Sequence, residues 1–165
     1  MTRLLVVHHS PSRSLQRLTG AVLAGARDPE IGGVEVVERH ALEATADDVL
    51  GADGYLLGTA AHFGYMSGAL KHFFDSTFLQ VGGALDDSGG GSGSGADGAT
   101  ARRPFGLWVH GRYDTTGAVR SVLAIVGALG WSQSAPVLEV LGDVEDRDDQ
   151  SAYDLGATLA ALLGS

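Results

Sequence analysis

With 165 residues, 44% of them hydrophobic and 19% charged, the chain can bury a sizeable core and is too apolar to be disordered. It holds no cysteine, which removes disulfides, thiolate metal sites and cysteine nucleophiles. A formal net charge of −9 argues against nucleic acid as a partner, since phosphate backbones are held by Lys and Arg; it suits solubility or docking on a basic protein. The apolar run at the amino terminus is too short for a secretory signal, and no stretch reaches membrane-spanning length. A cytoplasmic chain with no membrane partner is the expectation.

Arg3 to His8 reads as a first buried strand, apolar without alternation. A hydroxyl-rich turn follows, and from Ser14 the positions Leu15, Leu18, Thr19, Val22, Leu23 and Ala26 keep helical spacing, with Ser12 or Ser14 as the cap. Val34 to Glu38 is a more polar strand, expected at a sheet edge, and Leu42 to Leu50 has room for a short helix. Ala52 to Leu57 is a third buried strand, followed by a loop of small residues and glycines from Thr59 to Met66. Beyond it Met66, Leu70, Phe73, Phe74 and Thr77 share one helical face, with Lys71 and Asp75 on the other.

Residues 85–101 change texture to a Gly/Ser-rich insertion, expected to be a flexible surface loop within one domain spanning 1–165. Its Gly93-x-Gly95-x-x-Gly98 run matches the dinucleotide fingerprint only formally, because no strand precedes it and no apolar helix follows. Pro104 to His110 is the fourth strand, and a Gly- and hydroxyl-rich turn runs to Gly117. A helix from about Thr116 to Leu129 is ended by Gly130. Pro136 to Leu141 is the fifth strand, and an acidic patch, Asp143 to Asp149, leads into a last helix over Ser151 to Leu163.

Alternating strands and helices predict a doubly wound, five-stranded parallel sheet with helices on both faces and strand order 2-1-3-4-5. Right-handed crossovers then bring three strand-end turns to one edge. The first holds three serines and an arginine between positions 10 and 14, more hydroxyls than one cap uses. At a helix N-terminus, Ser10, Ser12, Arg13 and Ser14 together suit a phosphate. The acidic patch reads as a solvated helix start rather than a cation site. His8, His9, His62 and His110 fall at or near the same edge, but their spacing does not call for a metal, and none is expected. No Gly-x-Ser-x-Gly elbow supports a serine hydrolase.

The middle loop, Gly58-Thr59-x-x-His62-Phe63-Gly64-Tyr65-Met66-Ser67-Gly68, resembles the flavin-contacting loop of the flavodoxin-like NAD(P)H:quinone oxidoreductases and NADPH-dependent FMN reductases. The likeness extends at lower specificity over most of the chain, and the His110-Gly111-Arg112-Tyr113-Asp114 turn is similar to that of small flavodoxin-like proteins. The resemblance implies one FMN per subunit. Ser10, Ser12, Arg13, Ser14 and Leu15 would surround its phosphate. Ala60, Ala61, His62, Phe63, Gly64 and Tyr65 would line the ring, and His110, Gly111, Arg112 and Tyr113 would close the other side. It also implies an oxidoreductase that takes reducing equivalents from NAD(P)H to a quinone or similar acceptor, with His110 or Arg112 steadying the reduced flavin's charge. The chain departs from the family pattern in Arg13, where Gly is usual, in Ala60, where Pro is usual, and in the place of its insertion. A flavodoxin-type electron carrier serving a redox protein, and a cofactor-free relative, are the competing readings. Relatives of this type are commonly homo-oligomers.

Overall fold

The computed structural model describes residues 1–91 and 97–164. Its elements alternate as predicted: β1 (Thr2–His8), α1 (Arg13–Ala26), β2 (Val34–His40), α2 (Ala46–Leu50), β3 (Gly54–His62), β4 (Tyr65–Met66), α3 (Gly68–Thr77), β5 (Pro104–Gly111), α4 (Thr116–Ala128), β6 (Ser132–Gln133), β7 (Leu138–Leu141) and α5 (Asp146–Gly164). The main sheet is parallel, in the order β2-β1-β3-β5 with β6 and β7 both on the far side of β5. This is the expected 2-1-3-4-5 order with its last strand in two pieces. Ser134 to Val137 interrupt that strand, and Pro136, which has no N–H for the ladder, lies in the gap.

The pleat sorts the apolar runs onto two faces. Leu5, Val7, Tyr55, Leu57, Leu107 and Val109 meet Leu70, Phe73 and Phe74 of α3 and Val122 and Val126 of α4. Leu4, Val6, Leu56 and Trp108 meet Leu15, Leu18 and Val22 of α1 and Leu155 and Leu159 of α5. Both cores run the length of the central strands, which is why those strands show no alternation in sequence. Trp108 is wholly buried. Its ring lies over Gly58, where an added Cβ would stand 2.1 Å from the indole. The indole therefore requires glycine at that point of the neighbouring strand.

Two expectations are corrected. The predicted loop from Thr59 onward is largely strand: β3 continues to His62, pairing Thr59 with Val109 and Ala60 with His110. It then folds back through Phe63 and Gly64 onto β4, with Ala61 opposite Met66 and His62 opposite Tyr65. Small residues there let the ladder run on under the helices instead of marking a loop. The last helix starts at Asp146, not Ser151, so Asp146, Asp148 and Asp149 form its first turn, where carboxylates suit the positive helix end. Asp148 accepts the Glu145 N–H at 2.8 Å, and Arg17 of α1 clamps Asp149 with two bonds of 2.9 Å from Nε. The short helix for which Leu42 to Leu50 has room is Ala46–Leu50, behind a Thr45–Asp48 capping box.

Of the Gly/Ser-rich stretch, Ser92 to Ala96 lie outside the described residues, and with them most of the Gly93-x-Gly95-x-x-Gly98 match. On its far side Thr100 is buried, donating to the Val81 carbonyl at 2.6 Å and accepting from Trp131 Nε1 at 2.8 Å. Among the described residues no helix is long and apolar enough to cross a membrane.

Candidate functional site at the carboxyl edge of the sheet

β1, β3 and β5 are parallel neighbours, so the turns that leave them open on one edge. The turns also touch. His9 N–H donates to the Gly58 carbonyl at 3.1 Å, and the His9 and His62 rings stand 6.1 Å apart. A Cβ on Gly111 would come 3.1 Å from that of Ala61. A Cβ on Gly117 would come 1.9 Å from the Gly64 carbonyl oxygen, so the hairpin tip sits directly on the start of α4. Two of the three turns are thus locked together by backbone contact, and the first adjoins them through His9.

The first turn feeds α1. Ser12 is its N-cap, extended at φ −109° and ψ 157°, with its hydroxyl accepting the Leu15 N–H at 3.2 Å. The first turn of a helix leaves its N–H groups without intrahelical partners. With Leu15 capped, those of Arg13 and Ser14 remain to face an anion, and no acidic residue stands in that turn. Arg13 is exposed, Ser14 is partly buried and Leu15 is core. A cleft of about 290 Å³ lined by Arg13, Ser14, Arg17, Asp143 and Val144 adjoins this helix end. Ser10 behaves differently: its hydroxyl is bonded to His8 Nδ1 and to Thr19 Oγ1, both at 2.8 Å. Ser12→Ala is expected to cost about 1 kcal/mol of stability, a typical loss for a hydroxyl N-cap; urea denaturation reads it.

The second and third turns carry the aromatic rim. Phe63 and Gly64 both have positive φ, 49° and 76°, the backbone of a tight two-residue hairpin. Phe63 is 109% exposed, Tyr65 44% and Tyr113 83%. Ala60 is buried and Ala61 partly so, leaving only small side chains beneath the tip. Across from them, Arg112 Nε donates to its neighbour Tyr113 Oη at 3.0 Å, with the guanidinium 5.5 Å from that ring's centre. His110 points to the other face of the sheet and bonds the Gly142 carbonyl at 2.7 Å through Nε2. Of the two candidate cations, Arg112 is therefore the exposed one, while His110 ties β5 to the end of β7.

Four histidines gather beside the first turn: the His9 ring lies 5.5 Å from His40 and 6.1 Å from His62, and His8 lies 6.5 Å from His40. Burial, and then the neighbouring His40, His62 and His8, hold the His9 pKa below the usual imidazole value. Its Nδ1 is buried without a hydrogen-bond partner. Among the described residues no group of three or more His, Asp or Glu side chains is arranged to hold a metal ion.

Reading the sequence alone missed Thr19, Glu38, His40 and Trp108 as parts of this edge. Thr19 and Trp108 fall on the apolar faces of their elements and read as core. Glu38 and His40 lie on β2, and only the parallel β1–β2 register, His8 opposite His40, brings them beside the first turn.

The donor set fits a phosphorylated flat ring. Unpartnered N–H groups and hydroxyls gather at one end, and two exposed aromatic turns over small residues stand at the other. No family model matches the sequence. A flavodoxin of Aquifex aeolicus is 33% identical over 129 residues, covering 71% of this chain and 69% of the relative. An NAD(P)H dehydrogenase (quinone) of Acidithiobacillus ferrooxidans is 30% identical over 97 residues; that match spans only 47% of this chain and 48% of the relative's length. Among solved structures, a flavodoxin from the domain Archaea superposes with a TM-score of 0.76 over 99% of this chain and all of the other, at 16% identity. The fold, the strand order and the identity to the Aquifex protein agree, and the chain belongs to the flavodoxin family.

Proposed function

We propose that this chain binds FMN across the three turns and passes reducing equivalents from NAD(P)H to a quinone or a similar small acceptor. The observation that carries the reading is the convergence of the Ser10–Leu15, Ala60–Tyr65 and His110–Tyr113 segments on one sheet edge, two of them in backbone contact. FMN supplies the redox chemistry when bound, taking and giving electrons singly or as hydride. The chain's own residues bind and orient it. The N–H groups of Arg13 and Ser14, the Ser12 and Ser14 hydroxyls and the positive end of α1 hold the phosphate, with Arg13 free to add a charge-assisted bond. Phe63, Gly64 and Tyr65 flank the ring on one side and Tyr113 on the other, excluding water from its faces. Backbone groups of the hairpin read its polar edge, and Arg112 can swing from Tyr113 to favour the anionic reduced ring.

A second reading, a carrier that exchanges electrons only with a partner protein, draws support from the name of the Aquifex relative and from the −9 charge, which would steer a basic partner. One experiment separates the two. Purified protein titrated with FMN is expected to give the shifted, structured visible spectrum of a bound flavin, and then to oxidise NADH or NADPH with a soluble quinone and no added protein. Bound flavin without that turnover selects the carrier. No change in the spectrum of added FMN sinks both.

A further inference from the structure

Ser10 lies in the middle of a continuous polar chain that begins in the core. Trp108 Nε1 donates to Thr19 Oγ1 at 3.1 Å, Thr19 bonds Ser10 at 2.8 Å, Ser10 bonds His8 Nδ1 at 2.8 Å, and His8 Nε2 meets Glu38 Oε1 at 3.0 Å. Its direction follows from its ends. A carboxylate can only accept, so in the neutral imidazole His8 Nε2 carries the proton toward Glu38 and Nδ1 is left to accept from the Ser10 hydroxyl. With its proton on His8, Ser10 accepts from the Thr19 hydroxyl, whose oxygen in turn accepts the Trp108 indole N–H. In this arrangement the Ser10 hydroxyl proton is spent on His8 and cannot reach a phosphate in the turn.

Resting on the FMN reading above, we propose that His8 is the proton acceptor of the phosphate site: FMN binds with uptake of a proton at His8 Nδ1, which releases the Ser10 hydroxyl to the phosphate. The balance is simple. Imidazole gains a proton from solvent, becomes a donor to Ser10 Oγ from one ring nitrogen and to Glu38 from the other, and Ser10 turns its own O–H outward to a phosphate oxygen. The dianionic ligand gains a hydrogen bond and a nearby positive charge together. The titratable and charged groups around His8 are Glu38 and His40 on β2, its neighbour His9, and Arg27 at the end of α1, which reaches the second Glu38 oxygen at 3.4 Å. β3 presents Gly58 opposite it and β5 presents the neutral Trp108. Glu38 is the one anion in this set. Affinity for the phosphate should therefore fall as pH rises, because the proton to be taken up becomes scarcer.

The test is calorimetry of FMN binding to the cofactor-free protein at about pH 7.5, where a phosphate monoester with a second pKa near 6 is already dianionic. Titrations in two buffers of different ionisation enthalpy give the number of protons exchanged. The expected result is net uptake of up to one proton with FMN and none with riboflavin, which has the ring but no phosphate. His8→Gln should still bind FMN, more weakly, with the uptake lost. In the unaltered protein, imidazole nitrogen shifts should report His8 as the Nε2–H tautomer when free and as imidazolium when FMN is bound. Buffer-independent FMN enthalpy, undiminished uptake in His8→Gln, or an Nδ1–H tautomer in the free protein overturns the proton linkage alone. Failure to bind FMN in any buffer overturns the flavin reading, and the linkage with it.

Discussion

Gly117→Ala is expected to weaken FMN binding by about 10- to 100-fold while the sheet and both cores stay folded. The Gly64 carbonyl oxygen would lie 1.9 Å from the new methyl, a separation no non-bonded pair tolerates. Something must move, and the cheaper mover is the hairpin tip, since Phe63 and Gly64 are exposed while α4 is anchored by Val122 and Val126 in the core. Forced overpacking costs about 1–3 kcal/mol, and about 1.4 kcal/mol is a tenfold change in affinity. If the tip forms one wall of the ring site, that strain appears in binding. Gly127→Ala on the same helix is the control: its methyl meets nothing within 4 Å, and Ala is favoured over Gly within a helix. Fluorescence titration with FMN measures both variants. Equal affinity in Gly117→Ala and the unaltered chain would remove the hairpin from the site.

The fold was legible because five apolar runs and four long helical periods point to one architecture without conflict. What sequence reading lost was the function of residues that packing redefines. Thr59 to Ala61 were read as loop because small residues and glycine usually break structure, yet in a parallel sheet covered on both sides they are what the helices can lie against. Glu38 stood out only as a polar residue in an edge strand. Its pairing with His8 depends on a register set by strands that are far apart in the chain. Thr19 looked like one more core position, and it is 4% exposed. Its contact with the indole follows from the single N–H that Trp108 must satisfy when buried. The three turns themselves could be located in advance, since the crossover rule alone places them on one edge.

Phe63→Asn should move stability and cofactor affinity in opposite directions. Phe63 has φ 49° and a fully exposed ring, so the free chain gains neither backbone comfort nor burial from it. A non-glycine residue held in the left-handed region costs about 1–2 kcal/mol, and Asn followed by Gly is the pair that such hairpin turns prefer. The substitution should therefore stabilise the cofactor-free protein by up to about 1 kcal/mol, a rise of about 2–4 °C in the thermal midpoint for a domain of this size. With FMN present the balance reverses. The aromatic face that would cover the ring is gone, and a lost ring contact of about 1 kcal/mol or more lowers affinity by close to tenfold. A residue kept only for turn geometry would show the first effect without the second. A residue kept against local strain to hold a flat ligand shows both. Thermal melts with and without saturating FMN decide between them: the gain over the unaltered chain should shrink or change sign once the cofactor is added.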